Sequence, residues 1–109
     1  MHDRIQMNTL PADNRLIDQT EHFAKWLAGL RDLRARIAIA RRIERMAAGN
    51  FGDAKPVGGS VFELRIDIGP GYRVYFTRQR KKRVLLLCGG DKQTQRADIR
   101  RAQQLAKEN

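Results

Sequence analysis

At 109 residues and 12.5 kDa the chain has room for one hydrophobic core and no second domain. Its 41% hydrophobic and 31% charged residues are a globular balance, and its formal net charge is +10. The longest apolar run, residues 84–88, is far short of the ~20 residues of a membrane span, and the polar first 14 residues hold no signal-peptide block. One cysteine and two histidines leave no internal disulfide, no cysteine-based zinc cage and little for histidine-driven hydrolysis. The expectation is a small cytoplasmic domain with no membrane partner, metal or cofactor.

The charge is uneven. Residues 1–53 carry nine basic and seven acidic side chains, residues 54–109 thirteen and five. Sixteen of the 22 cations are arginine, whose planar fork suits phosphate. Such a footprint points to nucleic acid, to an acidic protein that masks the surface, or to both.

Residues 1–15 are polar and aperiodic and are expected to be a flexible extension ahead of a single domain over residues 16–109. From Asp18 the pattern is helical: Phe23, Trp26, Leu27 and Leu30 share one face, Asp18 or Thr20 can cap it, and Trp26 reads as a core anchor. After a break near residues 29–32, Asp32 caps a second helix that turns Leu33, Ile37, Ala40, Ile43 and Ala47 inward, with Ile39 and Met46 widening the stripe. Two helices joined so tightly predict an antiparallel hairpin. Residues 51–60 (FGDAKPVGGS) read as a loop. Phe62, Leu64, Ile66 and Ile68 alternate with Glu63, Arg65 and Asp67 as a half-buried strand. Gly69-Pro70-Gly71 turns the chain, and a second strand alternates from Tyr72. Residues 78–83, with five cations in six, form a hairpin tip, and residues 84–88 a strand covered on both faces. Gly89-Gly90-Asp91 ends it. A last helix from about Thr94 buries Ile99, Ala102, Leu105 and Ala106. The fold class is α+β: a helical hairpin on a small twisted antiparallel sheet, with a C-terminal helix.

Strand alternation gathers the polar side chains on one face. Arg65 and Arg73 come near each other across the turn, Lys92 lies just past the last strand, and Lys55 reaches in from the Gly-rich loop. Glu63, Asp91 and Asp98 are the carboxylates within range. Cleaving RNA without metal needs a base for the ribose 2′-hydroxyl, donors for the phosphorane charge and an acid for the leaving 5′-oxygen. Arg65, Arg73 and Lys92 suit the second need. The base is either a lysine with a depressed pKa or one of the carboxylates. Arg78, Arg80, Lys81, Lys82 and Arg83, with Lys55, form the wider RNA-binding set. Neither Gly-rich stretch has P-loop spacing, and Cys88 reads as a small buried hydrophobe.

Taken together, GNFGDAKPVGGSVFELRI, GPGYRVYF and GGDKQTQRADI resemble toxins of bacterial type II toxin–antitoxin modules. The likeness is to the RelE/ParE superfamily, in its HigB-like, phage-derived branch of addiction module killer proteins, and it covers residues 20 to about 107. The resemblance implies a compact α+β fold and a metal-independent mRNA interferase that cuts message on the ribosome. It also implies control by a cognate antitoxin, a helix-turn-helix DNA-binding protein. By position it assigns Arg73 to phosphate stabilisation and makes Arg65 and Lys92 its basic companions. Glu63 stands where some relatives have a second lysine, and Asp98 roughly where better-known members place a catalytic tyrosine. Other superfamily members bind and inhibit DNA gyrase, which is the alternative activity. On the interferase reading, Arg73→Ala should remove activity and leave folding nearly intact.

Overall fold

The computed structural model describes residues 14–109. The elements in order are β1 (Leu16–Gln19), α1 (Glu21–Gly29), α2 (Leu33–Ala47), β2 (Lys55–Gly58), β3 (Val61–Ile66), β4 (Tyr72–Gln79), β5 (Arg83–Gly90) and α3 (Gln95–Glu108). One five-stranded sheet, ordered β1-β5-β4-β3-β2, runs through the domain. Strands β2 to β5 pair antiparallel, as the alternation and turn residues require, but β1 adds to the edge of β5 in parallel. The sheet is therefore mixed, not purely antiparallel as expected. The two added strands are four-residue edge strands with weak signals, LIDQ and KPVG. Pro56 suits an edge, where its missing N–H breaks no ladder.

The chain thus lays down a strand before its helices. Asp18 belongs to β1, where its carboxylate accepts from Arg83 Nη1 at 3.0 Å, and Thr20 alone caps α1 by accepting from the Phe23 amide at 3.1 Å. Most of the expected flexible extension, residues 1–13, lies outside the described residues. At its end, the Arg15 amide donates to the Ala47 carbonyl at 2.6 Å.

Helices α1 and α2 share one face of the sheet. The backbone of α1 lies against β5, and that of α2 against β1 and β3. Both are docked on the sheet, so the pair is a less regular arrangement than the expected hairpin. Phe23, not Trp26, is the fully buried anchor of α1; Trp26 is half-buried, with its ring edge on Tyr72. In α2 the inward stripe is Ala35, Ile39 and Met46, with half-buried Arg42 between. Leu33 and Ile37 are 65% and 45% exposed, and Ala40 is exposed too, contrary to the expected stripe. The stripe was displaced because apolarity alone counts Leu33 and Ile37 but misses an inward arginine. Arg42 buries its stem and uses its guanidinium on the Arg65 carbonyl and the Asp53 carboxylate, each at 3.0 Å.

Helix α3 covers the other face. Ala102 and Leu105 pack with Val61, Tyr75, Leu85, Leu87 and Cys88 in a second core. Strand β5 is buried on both sides, as its unbroken apolar run predicts, and carries a bulge. Tyr75 pairs with Cys88 but Phe76 with Leu86, leaving Leu87 extra. Beyond the bulge Gly89 faces α1 and Gly90 faces α3. An alanine Cβ at Gly89 would strike the Trp26 ring, and one at Gly90 the Asp98 carboxylate. Each glycine lets a helix side chain lie directly on the strand.

Candidate functional site

Two rows of residues cross the sheet on the α3 face. Lys55, Glu63, Tyr75 and Cys88 are successive cross-strand partners, and next to them so are Arg65, Arg73 and Gly90. Placing Arg65 directly opposite Arg73 is unfavourable by itself. The Glu63 carboxylate between them offsets this: Oε2 lies 3.5 Å from Arg73 Nε and Oε1 4.0 Å from Arg65 Nη2.

The outer faces of β3 and β4 were expected to be solvated, but α3 encloses them. Glu63 is 2% exposed and Arg73 4% exposed. Glu63 Oε2 accepts from Gln95 Nε2 at 2.7 Å and from Tyr75 Oη at 3.1 Å. Oε1 has no hydrogen-bond partner. Glu63 lines a cleft of about 140 Å³ together with Asp53, Lys55 and Arg65. Burial, then the neighbouring Glu63 charge and hydrogen bond, push the Tyr75 phenol well above its ordinary pKa, so it stays protonated and donating.

The Gly69-Pro70-Gly71 turn sets Arg73. Gly69 and Gly71 have φ of +57° and +80°, a region in which glycine has no steric penalty. The Gly71 carbonyl accepts from Arg73 Nη1 at 2.8 Å. A Cβ on Gly71 would stand 3.4 Å from that nitrogen and 3.7 Å from Lys92 Cβ, so Lys92 and Arg73 flank the same glycine. Lys92 itself is exposed, as is Lys55.

The remaining expected site residues divide. Asp91 Oδ1 accepts from the amides of Gln93 and Thr94 at 2.8 and 3.2 Å, which closes the turn into α3. Asp98 accepts from Thr94 Oγ1 at 2.5 Å above Gly90. The basic tip is not gathered into the cleft. Arg78 leans over the Phe51 ring at 4.2 Å, on the α1–α2 side of the sheet, and Arg83 is paired with Asp18. Arg80, Lys81 and Lys82 are exposed in the β4–β5 turn, about 23 Å along β4 from Arg73 at ~3.3 Å per residue. Cys88 is buried, and that burial pushes its thiol up to about 12, so it is no nucleophile at neutral pH. Two participants escaped the sequence reading, Tyr75 and Gln95. The register of the two strands could have placed Tyr75 opposite Glu63; a single glutamine opening a helix gives no signal. Among the described residues, no cluster of His, Cys, Asp and Glu could hold a metal, and no helix is long and apolar enough to cross a membrane.

This architecture is the fold of E. coli RelE. The chain is similar in structure to a chain of the intact E. coli RelBE toxin–antitoxin complex, with a TM-score of 0.58 and 18% identity over 71% of this chain and 95% of that one. It is also similar to a free mutant form of E. coli toxin RelE, with a TM-score of 0.63 and 16% identity over 80% and 90%. In sequence, residues 25–108 match the family described as phage derived protein Gp49-like. An uncharacterized protein of Haemophilus influenzae is 53% identical over 92 residues, 84% of this chain and 93% of that one. The chain belongs to the Gp49-like family, a toxin family of the RelE/HigB type.

Proposed function

We propose that this chain is the toxin of a type II toxin–antitoxin module and that it cleaves mRNA on the ribosome, without metal, by attack of a ribose 2′-hydroxyl on the adjacent phosphate. One observation carries this reading: a buried carboxylate, Glu63, that lines an open cleft and is set between two arginines with one oxygen left unbonded. Arg65, whose side chain is half-exposed, turns from Glu63 to the phosphate as the message seats, and this opens Oε1 to the 2′-hydroxyl. Glu63 takes that proton, the 2′-oxygen bonds to phosphorus, and the bond to the 5′-oxygen breaks. Arg65 and Lys92 meet the phosphorane charge at the surface, while Arg73 acts from beneath, next to Gly71. The leaving oxygen takes its proton from a flanking ammonium group, Lys55 or Lys92, or from a group of the decoding site.

The strong positive charge suits both the ribosome and an acidic antitoxin that covers the cleft. A cytoplasmic location follows from such partners. Cleavage of message on purified, programmed ribosomes tests the proposal: the parent should yield discrete 3′ ends, and Glu63→Gln should lose ~10²-fold or more in rate. Exposed Leu33 and Ile37 on α2 favour the alternative of a gyrase-binding toxin. A parent that leaves message intact but inhibits purified gyrase would establish that alternative.

A further inference from the structure

We infer that Gln95 and Tyr75 are positioning residues that hold Glu63 by one oxygen and thereby reserve the other, Oε1, for proton transfer. This rests on the reading of Glu63 as the proton acceptor. A carboxylate has about four acceptor sites divided between two oxygens. Here both hydrogen-bond donors fall on the same oxygen. Gln95 Nε2 and Tyr75 Oη reach Oε2 at 2.7 and 3.1 Å, and Arg73 Nε lies 3.5 Å from it. Oε1 has only Arg65 Nη2, at 4.0 Å, and no hydrogen bond. A carboxylate buried for structural reasons would have both oxygens satisfied.

The two donors come from different layers. Tyr75 is the β4 residue opposite Glu63, whereas Gln95 is the first residue of α3. Gln95 is placed by the turn that Asp91 closes and by Gly90, whose missing side chain lets Thr94 and Asp98 settle on β5. An amide suits this position because it donates without adding charge. A lysine would neutralise the carboxylate, and a glutamate would compete for its proton. The charged and titratable groups around Glu63 are Lys55 from β2, Asp53 before it, Arg65 from β3, Arg73 and Tyr75 from β4, and Asp98 from α3, which acts on Tyr75. Gln95 also touches Glu63, and unlike Tyr75 it does not titrate. Removing it therefore changes hydrogen bonding to the charged carboxylate while the surrounding charges stay constant.

The experiment uses the full chain with Gln95→Ala, Gln95→Glu and Tyr75→Phe. Single-turnover cleavage of ribosome-bound message is followed across pH and protein concentration. Loss of one charge-assisted hydrogen bond should lower the saturating rate of Gln95→Ala about ten-fold at neutral pH. The half-saturating concentration should not change, and the acid limb of the pH–rate profile should move to higher pH. Gln95→Glu, nearly isosteric, should lose more than the alanine variant at neutral pH, and Tyr75→Phe should move in the same direction as Gln95→Ala. Parent rates in both Gln95→Ala and Tyr75→Phe would overturn the inference. So would a rate loss accompanied by a weaker half-saturation and an unmoved pH profile. A second readout needs no activity: carbon-13 NMR of the Glu63 carboxyl in the free protein should show titration at higher pH in Gln95→Ala than in the parent. Equal titration would overturn the positioning role. A shifted titration in a chain that cuts no message would uphold it and refute the nucleolytic reading instead.

Discussion

Arg73 and Glu63 form a buried ion pair, and this changes what Arg73→Ala should do. Their side chains are 5% and 1% exposed. Deleting the arginine leaves a carboxylate sealed from water, supported by Gln95 and Tyr75 but with only the more exposed Arg65 and Lys55 as nearby cations. Removing one partner of such a pair costs about 3–5 kcal/mol. The two surviving hydrogen bonds place the expected cost near the lower bound, about 3 kcal/mol. For a domain of this size each kcal/mol lowers the melting temperature by roughly 4–8 °C, so the variant should melt about 12–24 °C below the parent. The sequence-based expectation that folding would be nearly unaffected is thereby withdrawn. A double-mutant cycle isolates the pair. Arg73→Met alone strands the carboxylate and Glu63→Gln alone strands a buried guanidinium that keeps its bond to the Gly71 carbonyl, whereas the two changes together remove both charges. The double variant should be more stable than the sum of the single changes by about 2 kcal/mol, read from urea denaturation at pH 7. Additivity within about 0.5 kcal/mol would refute the coupling, and an Arg73→Ala melting point equal to the parent's would refute the burial.

Phe23→Ala should cost about 3–5 kcal/mol by thermal denaturation, and Trp26→Ala distinctly less, because Phe23 is fully buried and Trp26 is not. Gly89→Ala and Gly90→Ala should each lower the melting temperature, the first through the Trp26 ring and the second through Asp98; wild-type melting in either would place those side chains elsewhere. Cys88 and Tyr75 both resist ionisation in the folded state while the unfolded chain ionises at ordinary pH, so alkali favours unfolding. From neutral pH, stability should hold to about pH 9 and fall as pH rises toward 12, and Cys88→Ala should flatten the first part of that fall. Capture of an acidic antitoxin should slow as salt rises; a salt-independent association rate would refute electrostatic steering.

The extent to which the fold is legible in the sequence follows from how strong each local signal is. Residues 62–66 and 72–77 alternate cleanly around a Gly-Pro-Gly turn, and β3 and β4 appear there with Leu64, Ile66, Val74 and Phe76 on the α1–α2 side. The edge strands β1 and β2 are four residues each, and so short a run has no period to detect. The α2 stripe was displaced by Arg42, which packs inward but reads as surface. The convergence of Arg65, Arg73 and Glu63 was legible because cross-strand register alone brings them together. Their burial was not. It depends on which face α3 covers, and a helix of moderate apolarity after a four-residue connection carries no face label.

The bulge at Leu87 links these observations. If β5 ran on through Leu87 without the bulge, strict alternation would carry Gly89 to the α3 face and Gly90 to the α1 face. With it, Leu87 and Cys88 both face α3, and Gly90 lies under Thr94 and Asp98, where the start of α3 needs close approach to the strand. Gln95 follows directly and reaches Glu63. A sequence-local irregularity in β5 thus sets the depth at which α3 sits. That depth determines whether a neutral donor touches Oε2 and whether the outer face of β3 is sealed. The adjacent glycines read as a strand end in one dimension; in three, they are the clearance that lets helices pack on both faces of one strand. Shifting the alternation by inserting one residue between Cys88 and Gly89 should therefore do more than destabilise the domain. It should turn Gly90 away from α3 and withdraw Gln95 from Glu63, so any folded fraction would lose its carboxylate clamp while keeping Arg65 opposite Arg73.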